Sequence, residues 1–313
     1  MCFLCLAGLC MPRILYDRLD IILSTLLLLS LALLIQRSTL ASFLLFALAV
    51  NFKLVPVFLL PVWILGSFRA SDFDQPSFRA RVVRMVLMSA ARGILLVGLT
   101  AGVALLFYVF EGKGVFDFLE FHYNRGVHIE SLWGAFSLLA ARLSGAPFHM
   151  ALTYGAYNVT TPATPVLSAL SSATLAGLLI AVTVVLAVRF TARLERSAHS
   201  LSPQEIIEAT LLYLCVVFSF SKIFSPQYLF ALVPLVALLP RARGGAFVVS
   251  CVFVGVCCLS TLIYPYFYTK AIIHGPTWFG LYLLTARMLL LVGMTGFLFA
   301  RSVAGRRSED DLY

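Results

Sequence analysis

The chain has 313 residues, of which 61% are hydrophobic and only 12% charged, and its mean hydropathy is +0.98. Soluble domains carry about 25% charged residues, so this chain has too little polar surface to face water, which excludes the soluble globular class. A net charge of +9, from 19 Arg and 4 Lys against 14 acidic residues, reflects orientation in a bilayer and not nucleic-acid binding, because the arginines sit in short clusters between apolar runs.

The first eleven residues are apolar but lack the basic start of a signal peptide, and read as the remnant of a helix begun upstream. Cys2, Cys5 and Cys10 have no second pair or histidine at zinc spacing, so neither a metal nor another cofactor is expected. The remaining cysteines lie in apolar runs, where a free thiol acts as a small hydrophobe.

A spanning helix needs about 20 mostly apolar residues. Candidates run over 20–36, 38–66, 93–110, 165–188, 206–222, 228–240, 244–264 and 278–300. The second is too long for one straight crossing and carries Asn51, Lys53 and Pro56 midway. A lysine at mid-bilayer costs about 2.5–3.5 kcal/mol, so two short helices with Lys53 at the turn are expected. The result is an all-α polytopic membrane protein of about nine crossings, with one transmembrane domain over 1–313.

Arginine placement orients this scheme. Arg69, Arg79, Arg81, Arg84 and Arg92 surround one loop, Arg189, Arg193 and Arg196 a second, Arg241 and Arg243 a third, and Arg301, Arg306 and Arg307 the tail. All are cytoplasmic by the positive-inside rule if the 38–66 segment turns on the far side, which makes Arg37 cytoplasmic too. The four lysines then fall on the outer face, with Asp17, Asp20, Glu120, His122, Arg125, Glu130 and His274. The long loop 111–164 lies there as well; its aromatic content predicts ordered interfacial helices. Asn158-Val-Thr160 within it is a glycosylation triplet.

An internal echo follows. Phe46 to Lys53 leads into Pro56 and Pro61; Phe218 to Lys222 leads into Pro226 and Pro234. Each is an apolar helix, a lysine, a proline-marked break and a second apolar segment. Three places carry candidate chemistry. His122, Arg125, His128 and Glu130 lie within nine residues. Ser221, Lys222, Ser225, Gln227 and Tyr228 offer donors for phosphate or sugar hydroxyls at a helix break. Arg287 sits about nine residues into the last helix, where a charge needs a partner or a wet cavity.

Lys222-Ile-Phe-Ser-Pro-Gln-Tyr-Leu resembles the corresponding segment of polyprenyl-phosphate-mannose-dependent GT-C glycosyltransferases, the bacterial mannosyltransferases most and the eukaryotic GPI mannosyltransferase I more distantly. Phe121-His122-x-x-Arg125 with Ile129-Glu130-Ser131, the Lys53-x-x-Pro56 turn and Arg18-Leu19-Asp20 are similar to further elements of that family, in its order over about 18–240. The resemblance implies a GT-C-like helix bundle in a bacterial plasma membrane. It implies transfer of a sugar, mannose first, from a polyprenyl-phosphate donor to a lipid or glycan acceptor. Lys53, His122, Arg125, Lys222, Gln227, Tyr228 and Arg287 would bind donor phosphate or substrate. The family's catalytic aspartate lies in a loop that would precede this chain, so a piece of a longer enzyme is expected, or Asp20 or Glu130 takes the acceptor's proton. The alternative function is a transporter or lipid-carrier flippase built on the broken helices.

Overall fold

The computed structural model describes residues 20–74, 77–112, 114, 125–195, 200–240 and 244–304. The described residues are predominantly helical, and among them five helices are long and apolar enough to cross a membrane: Phe78–Glu111, Thr164–Glu195, Pro203–Phe220, Gly245–Ile273 and Trp278–Ala304. It is a multi-pass membrane protein. The remaining apolar helices, among them Asp20–Ile35 and Thr39–Phe52, are shorter.

The chain forms two compact units. The first comprises Met1–Ile21, Phe116–Leu178 and Cys215–Thr295, and the second Ile22–Val115, Leu179–Leu214 and Gly296–Tyr313.

Helix α1 (Asp20–Ile35), which lies in the second unit from Ile22 onward, runs on to helix α2 (Thr39–Phe52) through a turn at Arg37. Helix α2 ends where the sequence predicts a break: Lys53 is extended, a 3-10 turn follows over Val55–Leu59, and helix α3 covers Leu60–Gly66. Pro56 and Pro61 stand at the first positions of these two segments, where a missing N–H costs nothing. Buried hydroxyls lock the turn-back together. Ser30 Oγ donates to the Ser42 carbonyl at 2.8 Å, Ser42 Oγ returns the bond to the Ser30 carbonyl at 2.7 Å, and Trp63 Nε1 donates to Ser30 Oγ at 2.9 Å. Every polar group thereby finds a partner in an apolar setting.

Arg37 then joins three loops. Its guanidinium donates to the carbonyls of Phe68 at 2.8 Å and of Gly66 and Leu201 at 3.3 Å. The 38–66 segment therefore leaves and returns to the same end of its unit. Helix α4 (Phe78–Glu111) is longer than the predicted 93–110, because the arginine-bearing stretch before it is also helical, capped by Ser77 Oγ on the Ala80 N–H. Apart from Met85 and Leu96 its side chains are largely uncovered, Phe110 being 82% exposed. Such an apolar surface belongs in lipid.

The first unit holds the segment after Arg125, and here the expectation of interfacial helices alone is incomplete. One helix forms, α5 (Leu132–Ser144), together with an antiparallel sheet in the order β1-β3-β2 (β1 Val127–His128, β2 His149–Thr153, β3 Ala156–Thr160). Val127 faces Val159, and Met150 faces Val159 from the other side. Val127, Ile129, Leu138 and Val159 bury themselves with Ile263, Ile272, Leu281 and Leu284. Those last four lie on or beside helices α9 (Gly244–Thr261, continued by a wider π turn over Leu262–Ile273) and α10 (Trp278–Ala304). Asn158 is only 6% exposed and its amide donates to Thr153, so it makes a poor glycan acceptor.

Helix α6 (Thr164–Glu195) and helix α7 (Pro203–Phe220) follow. After helix α7 the motif of the second unit recurs: Lys222 outside the helix, a 3-10 turn over Pro226–Ala231, and helix α8 (Val233–Ala237) with Pro234 near its start. The echo read from sequence is an echo of structure.

Candidate functional site

The first unit draws together residues far apart in sequence. Strand β1 leads into a turn at Ile129–Glu130, and Ser131 closes it by donating from Oγ to the His128 carbonyl at 2.7 Å and accepting the Gly134 N–H at 3.0 Å. This is a side-chain N-cap for helix α5. Gly134 is required: a Cβ there would run into the His128 carbonyl oxygen. The turn is thus held by close backbone approach, and it aims Glu130 inward.

Arg287 meets it. Nη1 donates to Glu130 Oε1 at 2.9 Å and Nη2 to the Glu130 backbone carbonyl at 2.6 Å, while the guanidinium carbon lies 4.7 Å from the centre of the Phe224 ring. Arg287 is fully buried and Glu130 is 5% exposed. Sequence reasoning expects a bound phosphate to balance Arg287. In the structure the counter-charge is Glu130, a carboxylate from the same chain. Such a pair is costly to desolvate and tolerable only with extra hydrogen bonds; the backbone carbonyl and the ring face provide part of that.

The break after helix α7 is the third wall. The His128 N–H donates to the Lys222 carbonyl at 3.0 Å, and Trp133 Nε1 donates to the Phe220 carbonyl at 2.7 Å. The His128 imidazole hydrogen-bonds to the Phe224 backbone, and its Nδ1 is buried without a partner. Burial, with the nearby charges of Arg125 and then Arg287, pushes the His128 pKa down to about 3. His128 is therefore a neutral strut at ordinary pH. Lys222 is half-buried, and loss of hydration lowers its pKa.

Several candidate residues thus converge: Glu130 and Arg287 directly, Lys222 through its backbone carbonyl on the His128 N–H, and Arg125 by its charge on His128. Tyr228 is buried, its ring 5.4 Å from that of Phe218 and 6.3 Å from that of Phe224, and Gln227 beside it is half-buried. Asp20, buried at the start of helix α1, belongs to the same unit. Lys53 belongs to the other unit, and His122 lies outside the described residues. Phe224, Trp133 and Gly134 carry much of the geometry and were not singled out in sequence. Only Ser131-x-x-Gly134, a cap followed by a residue without a side chain, hints at them.

Comparison of the chain with protein-family models, curated proteins and solved structures found no match.

Proposed function

We propose that this protein is a membrane glycosyltransferase of the GT-C kind, moving a sugar, mannose first, from a polyprenyl-phosphate donor to an acceptor hydroxyl on the outer face. One observation carries the reading. The Glu130-Ser131 and Lys222-to-Tyr228 segments, which bear its resemblance, are joined within a single unit by the His128 N–H on the Lys222 carbonyl and by Arg287, which bonds Glu130 and lies over the Phe224 ring.

In this reaction the acceptor oxygen attacks the anomeric carbon, the bond to the donor phosphate breaks, and a carboxylate takes the hydroxyl proton. The half-buried Lys222 and Arg125 are the cations assigned to the departing lipid phosphate. Glu130 is committed to Arg287, so its assigned role is to position that guanidinium and the Phe224 turn. Asp20 remains the carboxylate assigned to the acceptor.

The test uses purified protein in lipid nanodiscs with a radiolabelled polyprenyl-phosphate-mannose. Wild type is expected to bind it. Lys222→Gln is expected to weaken binding by about tenfold to a hundredfold, the value of a charge-assisted hydrogen bond. Arg142→Gln, whose guanidinium lies 5.9 Å from the Trp278 ring and outside the site, is expected to leave it unchanged. No binding by a folded sample would discard the glycosyltransferase and favour a transporter, for which the recurring lysine-and-proline helix break is the supporting observation.

A further inference from the structure

Helix α4 begins with three arginines that the protein itself leaves unanswered. Arg79, Arg81 and Arg84 lie in its first two turns, Arg79 and Arg84 exposed and Arg81 half-buried. Among the described residues none of the three forms an ion pair. The acids of this end do not serve them. Asp72 accepts from Arg92 Nη2 at 2.6 Å and from the Arg69 N–H at 2.9 Å. Asp74 is exposed, without an ion pair among the described residues.

The helix passes directly from these charges into lipid. From Met85 to Phe110 its only charged residue is Arg92, which Asp72 neutralises and whose guanidinium lies 4.2 Å from the centre of the Phe68 ring. A run of that length crosses the hydrocarbon with some tilt, so Arg84 stands at its edge, where lipid phosphates lie. One uncovered stripe joins the two regions. Arg84, Leu87, Ala91, Leu95 and Gly98 are spaced three, four, four and three apart, which is one helical face. Leu87 is 65% and Leu95 45% exposed, Ala91 and Gly98 are exposed too, and the space beside Gly98 is open. Arg81, three residues before Arg84, adjoins the charged end of the stripe.

We infer that Arg81 and Arg84 hold the phosphate of an anionic phospholipid, one acyl chain of which lies along Leu87, Ala91, Leu95 and Gly98. Charge selects this occupant. Two adjacent guanidiniums with no carboxylate partner attract a headgroup that carries negative charge alone, and they repel the ammonium of a zwitterionic one. Each guanidinium fork also fits phosphate oxygens. A second copy of the chain is a poorer fit to this face. Two copies share one orientation in the membrane, so a two-fold pairing through the stripe would set the same arginines against each other.

The experiment titrates the detergent-solubilised protein with dioleoyl phosphatidylglycerol or phosphatidylcholine and reads bound lipid by native mass spectrometry. Phosphatidylglycerol is expected to bind about 25-fold tighter, from about fivefold for each of the two arginines. Arg84→Gln should lose about fivefold, and the Arg81→Gln/Arg84→Gln double variant should fall to the phosphatidylcholine level. Arg84→Lys, which keeps the charge without the fork, should lose less than Arg84→Gln. Arg79→Gln removes the same charge from another side of the helix and should change little. Glycerol phosphate, with no chain for the stripe, should not compete. Equal binding of the two lipids by the unmodified protein would overturn the assignment, whether or not a variant folds. So would equal losses from Arg79→Gln and Arg84→Gln, competition by glycerol phosphate, or a dimer that forms without lipid and shuts phosphatidylglycerol out.

Discussion

Glu130 and Arg287 show how one residue's burial depends on another. With both partners present, the guanidinium meets a carboxylate, a carbonyl and an aromatic face. With one removed, the other is left charged in an apolar interior, and breaking such a pair costs about 3–5 kcal/mol. Glu130→Gln and Arg287→Leu are each expected to lower thermal stability in detergent markedly. The double variant should be more stable than either single one, since no charge is then stranded. Additive losses would mean that the two side chains contribute separately. For this reason Lys222, half-buried and on a turn, is the better residue for reading donor binding than Arg287.

At the scale of elements, the turn before helix α5 rests on the absence of a side chain at Gly134. Gly134→Ala is expected to destabilise the protein by at least about 2 kcal/mol, as overpacking a dense contact does. A thermal unfolding midpoint equal to wild type would show that the turn yields freely. The helix breaks at Lys53 and Lys222 were legible in the sequence, because a lysine beside prolines in an apolar run has few other places to go. Helix Trp278–Ala304 was legible within a few residues for the same reason of continuous apolarity. The sheet was not. Strand β1 has two residues, and the other strands are short and carry no strict alternation, so only pairing with each other defines them. The site was half legible: Arg287, Glu130 and Lys222 stood out by charge, but that Glu130 answers Arg287 across 157 positions left no local trace in the sequence.

At the scale of the whole molecule, the arginine distribution predicts which loops share a side. Arg37 bonded to the carbonyls of Gly66, Phe68 and Leu201 agrees with one end for three of those loops. In a cysteine-free background, Asp74→Cys is expected to react with an impermeant thiol reagent only in inside-out vesicles. Ser144→Cys should react only in intact cells or right-side-out vesicles. Both positions are exposed and outside the long apolar stretches. Labelling of the two from the same side would overturn the orientation.

The separation of Glu130 from Arg287 also has a meaning in time. Translation delivers Glu130 first, and helix α10 emerges much later with an arginine about 14 Å from its start, at 1.5 Å per residue. A lone arginine near the centre of an inserting helix opposes partition by about 2.5–3.5 kcal/mol. The carboxylate that answers this arginine lies in a segment made earlier, so the order of synthesis puts the counter-charge before the charge that it balances.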